Sequence, residues 1–139
     1  GVKVTILQQK NDLFLLYVHR PKLLEQQLNR LEVQSLLCPL GYPSCPLAES
    51  LGHLKHRLNK ELQFPHEIGV FLGYPTADVE AFIRHKGCGG KCDGLWKVYT
   101  DVEQAQKIFA QFKKCTRLYV ELHKRGKQLE DLTVRRMKI

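Results

Sequence analysis

Leu47, Leu51, Leu54, Leu58 and Leu62 recur at spacings of three and four residues, and this stripe constrains the fold more than any other feature of the chain. Such spacing lines one face of an α-helix over Pro46 to Leu62, and a face of leucine must be covered by another apolar surface. The beginning of the chain offers one. In GVKVTILQQKNDLFLLYVHR, Val2, Val4 and Ile6 alternate, Lys10, Asn11 and Asp12 make a polar turn, and LFLLYV is apolar throughout. The pattern predicts a β-hairpin whose second strand is covered on both faces.

The remaining segments extend this plan. Pro21 suits a first helical turn, and Leu23, Leu24, Leu28 and Leu31 predict a short helix behind it. EIGVFL, residues 67–72, lies between Pro65 and Gly73 and carries Val and Phe, so it is read as a buried strand with a helix as the alternative. TADVEAFIRH predicts a helix with Thr76 as N-cap and Asp78 and Glu80 in the first turn. WKVY alternates as a strand. Ala105, Ile108, Phe109, Phe112, Cys115 and Tyr119 predict the buried stripe of a long helix from Val102 to Lys124, ended by Gly126. LGYP occurs at 40–43 and again at 72–75; the flanks do not match, so it is read as a shared turn that starts a helix rather than a repeat. The order β-β-α-α-α-β-α-β-α implies an α/β fold of the α+β type. It has one mixed sheet of about four strands starting with the hairpin, helices packed on it and a long C-terminal helix. A single domain over residues 1–139 is expected, with a basic tail from about 126.

Composition excludes some classes of function. The chain is 43% hydrophobic and 26% charged, and no apolar run approaches the length of a membrane span. It opens GVKVTILQQK with neither an initiator Met nor a secretory pattern, so Gly1 is expected to be a processing scar. Five cysteines, an odd number, point to reduced thiols and a cytoplasmic setting. The net charge of +8 is unevenly placed: residues 1–106 hold 12 Lys and Arg against 11 Asp and Glu, and residues 107–139 hold 10 against 3. Lys107, Lys114, Arg117 and Arg125 share a helix face with Glu103 and Glu121, the pattern of a solvated, salt-bridged surface. KRGK at 124–127 and RRMK at 135–138 add charge without aromatic residues. Nonspecific phosphate attraction follows from that; nucleic-acid binding is an accessory alternative, not the favoured reading.

Two constellations carry potential chemistry. In HKGCGGKCDGLWKVY, Cys88 and Cys92 stand with three residues between them where zinc knuckles have two, and His85 is the only nearby third ligand. The set is one ligand short, so no metal site is expected. The glycines of the same loop allow backbone N–H groups to converge on an anion, with Lys86, Gly89, Gly90 and Lys91 as the candidate cradle, against the alternative of a flexible connector. His66 and Glu67 cannot form the helical metal pair of HExxH, because Val70 stands four residues after His66. They are instead candidates for an acid–base pair, with Lys97 and Tyr99 on one strand face able to join them and Cys92 as a further member. His53 and His56 diverge on their helix and are read as surface residues. No Walker loop, dinucleotide fingerprint or nucleophile elbow is present, so the chain names no cofactor.

FPHEIGVFLGYPTADVEAFI followed by LWKVYTD resembles a bacterial family designated domain of unknown function 3793. The matching residues are His66, Glu67, Leu72 to Pro75, Asp78, Val79, Phe82, Ile83, Trp96 to Tyr99, Lys114 to Thr116 and Leu132 to Val134, so the likeness runs from about Phe14 to Val134. Members of that family begin with a His-Cys segment followed by Thr-Leu-Ala-Gly, which this chain lacks. The resemblance implies a bacterial intracellular setting and supplies no catalytic residue. The expectation is a binding or regulatory module for a small anionic ligand or a protein partner, with a small enzyme built on His66, Glu67 and Lys97 as the alternative.

Overall fold

A computed structural model describes residues 1–44, 46–60 and 62–133. Strands β1 (Lys3–Lys10) and β2 (Leu13–His19) form the expected antiparallel hairpin. Its two-residue turn is possible because Asn11 takes a left-handed conformation, φ 54°, which Asn tolerates. A bulge between Ile6 and Gln8 turns Leu7 inward, where it is 1% exposed. Helices α1 (Pro21–Leu28) and α2 (Leu31–Leu37) follow, then the leucine-striped α3 (Leu47–Lys60). Leu54 and Leu58 of α3 are buried with Leu7 and Tyr17 of the hairpin, Leu24 and Leu28 of α1, and Val33 and Leu37 of α2. Two side-chain amides hold hairpin and helix in register: Gln8 Nε2 donates to the Leu58 carbonyl at 2.8 Å, and Asn59 Nδ2 donates to the Leu7 carbonyl at 3.0 Å.

The rest of the chain is α4 (Ile68–Phe71), α5 (Thr76–Arg84), β3 (Cys92–Asp93), β4 (Lys97–Val98) and α6 (Val102–Lys124), with 3-10 turns at Cys38–Leu40 and Glu130–Leu132. Both LGYP segments end a helix in the same way. Tyr42 N–H reaches the Leu37 carbonyl and Tyr74 N–H the Gly69 carbonyl, while Gly41 and Gly73 supply φ of 82° and 80°. This double closure needs a left-handed residue at the glycine, and the following proline keeps the helix from continuing. The shared motif is therefore a helix stop before it is a helix start. The first helical residue of α5 is Thr76 itself, with Pro75 at the cap position.

Four expectations are corrected. The segment 67–72 is one turn of helix, not a strand; Gly69, Val70 and Phe71 are buried as a strand would be, which is why an apolar run this short carries no period. The strands form two separate two-stranded sheets, β1–β2 and β3–β4, in place of one four-stranded sheet. Besides losing the segment 67–72, the second ladder stops after two residues because the Tyr99 and Thr100 N–H groups that follow it donate to the Asp78 carboxylate. Only one face of β2 is covered: Tyr17 and His19 are buried, whereas Phe14, Leu16 and Val18 are 53%, 55% and 60% exposed. Along α6, Ala105 is buried and Ile108 and Phe109 are half-buried, but Phe112, Cys115 and Tyr119 lie in solvent. Phe109 meets the Trp96 ring edge-on at 4.6 Å and closes over Gly94, where an added Cβ would fall 2.1 Å from the ring. Beyond that contact Phe112 still borders a cleft with Gln27, Arg30, Leu72 and Leu95, and the residues of α6 that follow are exposed except for half-buried Leu122.

Candidate functional site

Between the hairpin and the α4–α5 segment lies a cavity of about 410 Å³. The bulge that turns Leu7 inward and the apolar second strand provide one wall, with Leu15 and Tyr17. The opposite wall is aromatic: Phe64, Phe82, Tyr74 and Trp96. Gly69 and Val79 pack where α4 crosses α5; a Cβ on Gly69 would lie 2.8 Å from a Val79 methyl, so the crossing depends on glycine. Three polar side chains reach the cavity, those of His66, Asp78 and Lys97.

Asp78 is 2% exposed and fully engaged. Its Oδ1 accepts from Tyr99 N at 2.9 Å, Thr100 N at 2.9 Å and Thr100 Oγ1 at 2.8 Å, and its Oδ2 accepts from Trp96 Nε1 at 2.8 Å. Burial by itself would raise its pKa, but the Tyr99 N–H together with the Trp96 and Thr100 donors outweighs burial and holds the carboxyl below its ordinary value. Asp78 therefore fixes the β4 segment to α5 and orients Trp96. That leaves His66 and Lys97 as the polar groups with freedom to meet a ligand. The His66 ring lies between Phe64, at 5.6 Å, and Phe82, at 4.9 Å. Lys97 Nζ stands 3.4 Å from Asp93 Oδ1, whose side chain is 78% exposed, an ion pair weak enough to be exchanged for a ligand anion.

The structure brings His66 and Lys97 together and sends Glu67 elsewhere. Glu67 is 2% exposed and its Oε1 accepts from Arg57 Nε at 2.5 Å and from Tyr42 Oη at 2.8 Å, a structural ion pair under the α3 face. Tyr99 also points away, its ring stacked on His85 at 5.8 Å and its Oη buried without a hydrogen-bond partner among the described residues. The cysteine loop closes the end of α5 through its backbone. Gly87 N–H donates to the Phe82 carbonyl, Cys88 N–H to His85 and Lys91 N–H to Val98, and Lys91 Nζ donates to the Thr100 carbonyl. Lys86 takes the left-handed position of this helix stop, at φ 50°. Gly89 and Gly90 follow in the loop, where a Cβ on Gly90 would overlap the Lys97 side chain at 2.4 Å. Cys88 is exposed and Cys92 half-buried, both as free thiols, and no group of three or more His, Cys, Asp or Glu among the described residues is placed to hold a metal ion. His53 is half-buried, its Nε2 donating to the Leu40 carbonyl at 2.9 Å and its ring edge-on to Tyr42. RRMK at 135–138 lies outside the described residues.

Sequence reasoning passed over Phe64, Tyr74, Phe82 and Trp96 as a group. Each stands beside a motif that was noticed, but nothing in a linear pattern joins residues 64, 74, 82 and 96 into one wall. Among the described residues no helix is long and apolar enough to cross a membrane. The model of a family described as a protein of unknown function (DUF3793) matches residues 1–133. No curated protein and no solved structure matches the chain.

Proposed function

We propose that this chain, which belongs to the family of unknown function DUF3793, is a binding module for a small molecule with an apolar body and an anionic end. The observation that carries this reading is the cavity of about 410 Å³, apolar and aromatic over most of its lining, with Lys97 and His66 as its adaptable polar groups. A volume of this order suits a small organic ligand, and a few convergent polar groups in an apolar cleft fix orientation and specificity. The apolar body lies between Tyr17 and the Phe82–Trp96 wall, and the anion replaces Asp93 at Lys97. The separation of Glu67 from His66 weighs against the acid–base enzyme. Free Cys38, Cys88, Cys92 and Cys115 suit a reducing compartment, which supports a cytoplasmic setting in a bacterium.

Trp96 is the only tryptophan and lines the cavity, so its fluorescence reports occupancy directly. Titration with a series of medium-chain and aromatic carboxylates, each beside the matching alcohol, should give a saturable change with the acid preferred. A Lys97→Met variant should lose that preference, weakening the acid about tenfold, which corresponds to about 1.4 kcal/mol, while leaving the alcohol unchanged. A series in which no member gives a saturable response, or an acid preference that survives in Lys97→Met, would overturn the proposal.

A further inference from the structure

Arg30 stands between α1 and α2 and borders two clefts, one of about 490 Å³ and one of about 500 Å³. Each is of the size that small-molecule sites occupy. The clefts also share Gln27, Leu72 and Gly73, so they run together as one groove between α1 and the stop that ends α4. Gly73 keeps the passage open, because a Cβ built there would meet nothing within 4 Å. The groove shares Tyr17, Leu72, Tyr74 and Trp96 with the cavity described above, but neither His66 nor Lys97 lines it.

Its character changes along its length. At one end stand His19, Arg20 and Gln26. His19 is 7% exposed; its Nε2 lies 3.2 Å from Thr5 Oγ1, and its Nδ1 is buried without a hydrogen-bond partner among the described residues. Buried nitrogens without a partner are rare, and this one marks the end of the groove prepared for a polar group. Gln27 and Arg30 occupy the middle. The far end is apolar and aromatic, formed by Tyr74, Trp96 and Phe112 with Leu95 and Ile108. No described Asp or Glu lines either cleft, whereas Arg20 and Arg30 do. Arg30 is lightly held. Its side chain is 59% exposed, 3.8 Å from Glu32 and 3.4 Å from Gln27 Oε1, both too long for strong bonds. A pair of that kind contributes little and exchanges readily for a ligand anion. The guanidinium fork matches the oxygens of a phosphate.

The geometry points to a nucleoside phosphate as the occupant of this groove, with its phosphate at Arg20 and Arg30, its sugar at the Gln27 amide and its base against Trp96 and Phe112. The order of the chemistry decides. Cation, amide and aromatic surface follow one another as phosphate, hydroxylated sugar and planar ring do in a nucleotide. A simple aromatic acid has no polar middle to meet Gln27. Stacking of a base on aromatic side chains tolerates any of the four bases, so the groove selects the class and not one member of it.

The test is titration of the intact chain with adenosine, guanosine, cytidine and uridine monophosphates, each beside its nucleoside, and with phenyl phosphate, read by calorimetry and Trp96 fluorescence. At least one nucleotide should bind saturably, about tenfold or more tighter than its nucleoside, and tighter than phenyl phosphate. Arg30→Met should abolish the preference for nucleotide over nucleoside. Phe112→Ala should weaken both alike, by about tenfold. Both residues are exposed, and circular dichroism checks that each variant is folded. Lys97→Met, which removes the cation of the cavity, should leave nucleotide binding unchanged. No saturable response to any nucleotide overturns the inference. So does a preference that survives in Arg30→Met, or binding that is unchanged in Phe112→Ala. Loss of nucleotide binding in Lys97→Met would place the nucleotide in the cavity and overturns it as well. Phenyl phosphate bound as tightly as the best nucleotide would show that the sugar is not read, and overturns it too.

Discussion

The indole N–H of Trp96 donates to the carboxylate of Asp78 at 2.8 Å, and through this bond the first turn of α5 fixes the aromatic wall of the cavity. The other Asp78 oxygen collects three donors from Tyr99 and Thr100, so one buried side chain ends the second β-ladder and also positions the chain leading into α6. Asp78→Ala should cost about 3 kcal/mol of unfolding free energy, because it strands donors that had a charged acceptor. Urea unfolding measures this, and the Trp96 emission of the folded variant should shift toward that of solvent-exposed indole.

The same carboxylate sets an acid limit. Its pKa is depressed in the folded protein, so its contribution is complete above the unfolded value of about 4 and is lost as pH falls through the lower folded value. Wild-type stability should therefore decline as pH drops below about 4, and Asp78→Asn should show a shallower decline over that interval. Identical slopes for the two proteins would contradict the assignment.

Tyr17 sets a limit at the other end. Its hydroxyl donates to the Phe71 carbonyl, joining hairpin to α4, and burial pushes its pKa up to about 12. Because the folded state holds this proton more tightly, the stabilisation is full below the unfolded value of about 10 and is lost as pH rises toward the folded one. Tyr17→Phe should lose about 1 kcal/mol at neutral pH and should remove this alkaline loss of stability, both read by denaturant titration at several pH values.

Adjacent His66 and Glu67 should behave as unrelated residues. Glu67→Ala removes the buried carboxylate that accepts from both Arg57 and Tyr42 and should cost about 3 kcal/mol. His66→Ala should cost about 1 kcal/mol, the loss of its aromatic contacts, while weakening the carboxylate-dependent Trp96 response. Equal effects of the two substitutions on stability would contradict the separation of the two side chains.

Thiol reactivity follows exposure. Cys88 and Cys115 are both exposed, so both should label in the native protein, with half-buried Cys92 slower. A Cys88→Ser/Cys92→Ser variant should keep its melting temperature, because the loop is held by backbone hydrogen bonds and not by its thiols.

The hairpin, the leucine-striped α3 and the extent of α6 were legible in the sequence because each rests on local information. A period of two, a period of 3.6, and turn residues such as Asn11 or Gly126 act over one or two turns of chain. The two LGYP stops were legible as turns for the same reason. What the sequence does not carry is where a local apolar face is satisfied. The stripe from Ala105 to Tyr119 reads as buried from end to end, yet only Ala105 is buried and Ile108 and Phe109 are half-buried; beyond the Phe109–Trp96 pair Phe112 borders a cleft of the body but stays 56% exposed, and Cys115 and Tyr119 are exposed. EIGVFL reads as a buried strand with a helix as the alternative, and burial alone does not separate them; the helix stop at Gly73 and the close approach of Gly69 to Val79 settle it as a helix. Glu67 and His66 are neighbours in the chain and part in space, because the turn into α4 directs one carboxylate to Arg57 under α3 and leaves the imidazole between Phe64 and Phe82. Local propensity thus determined the elements, while side-chain partners distant in sequence, above all the donors gathered by Asp78, decided how far each sheet extends, which faces are covered and where the cavity lies.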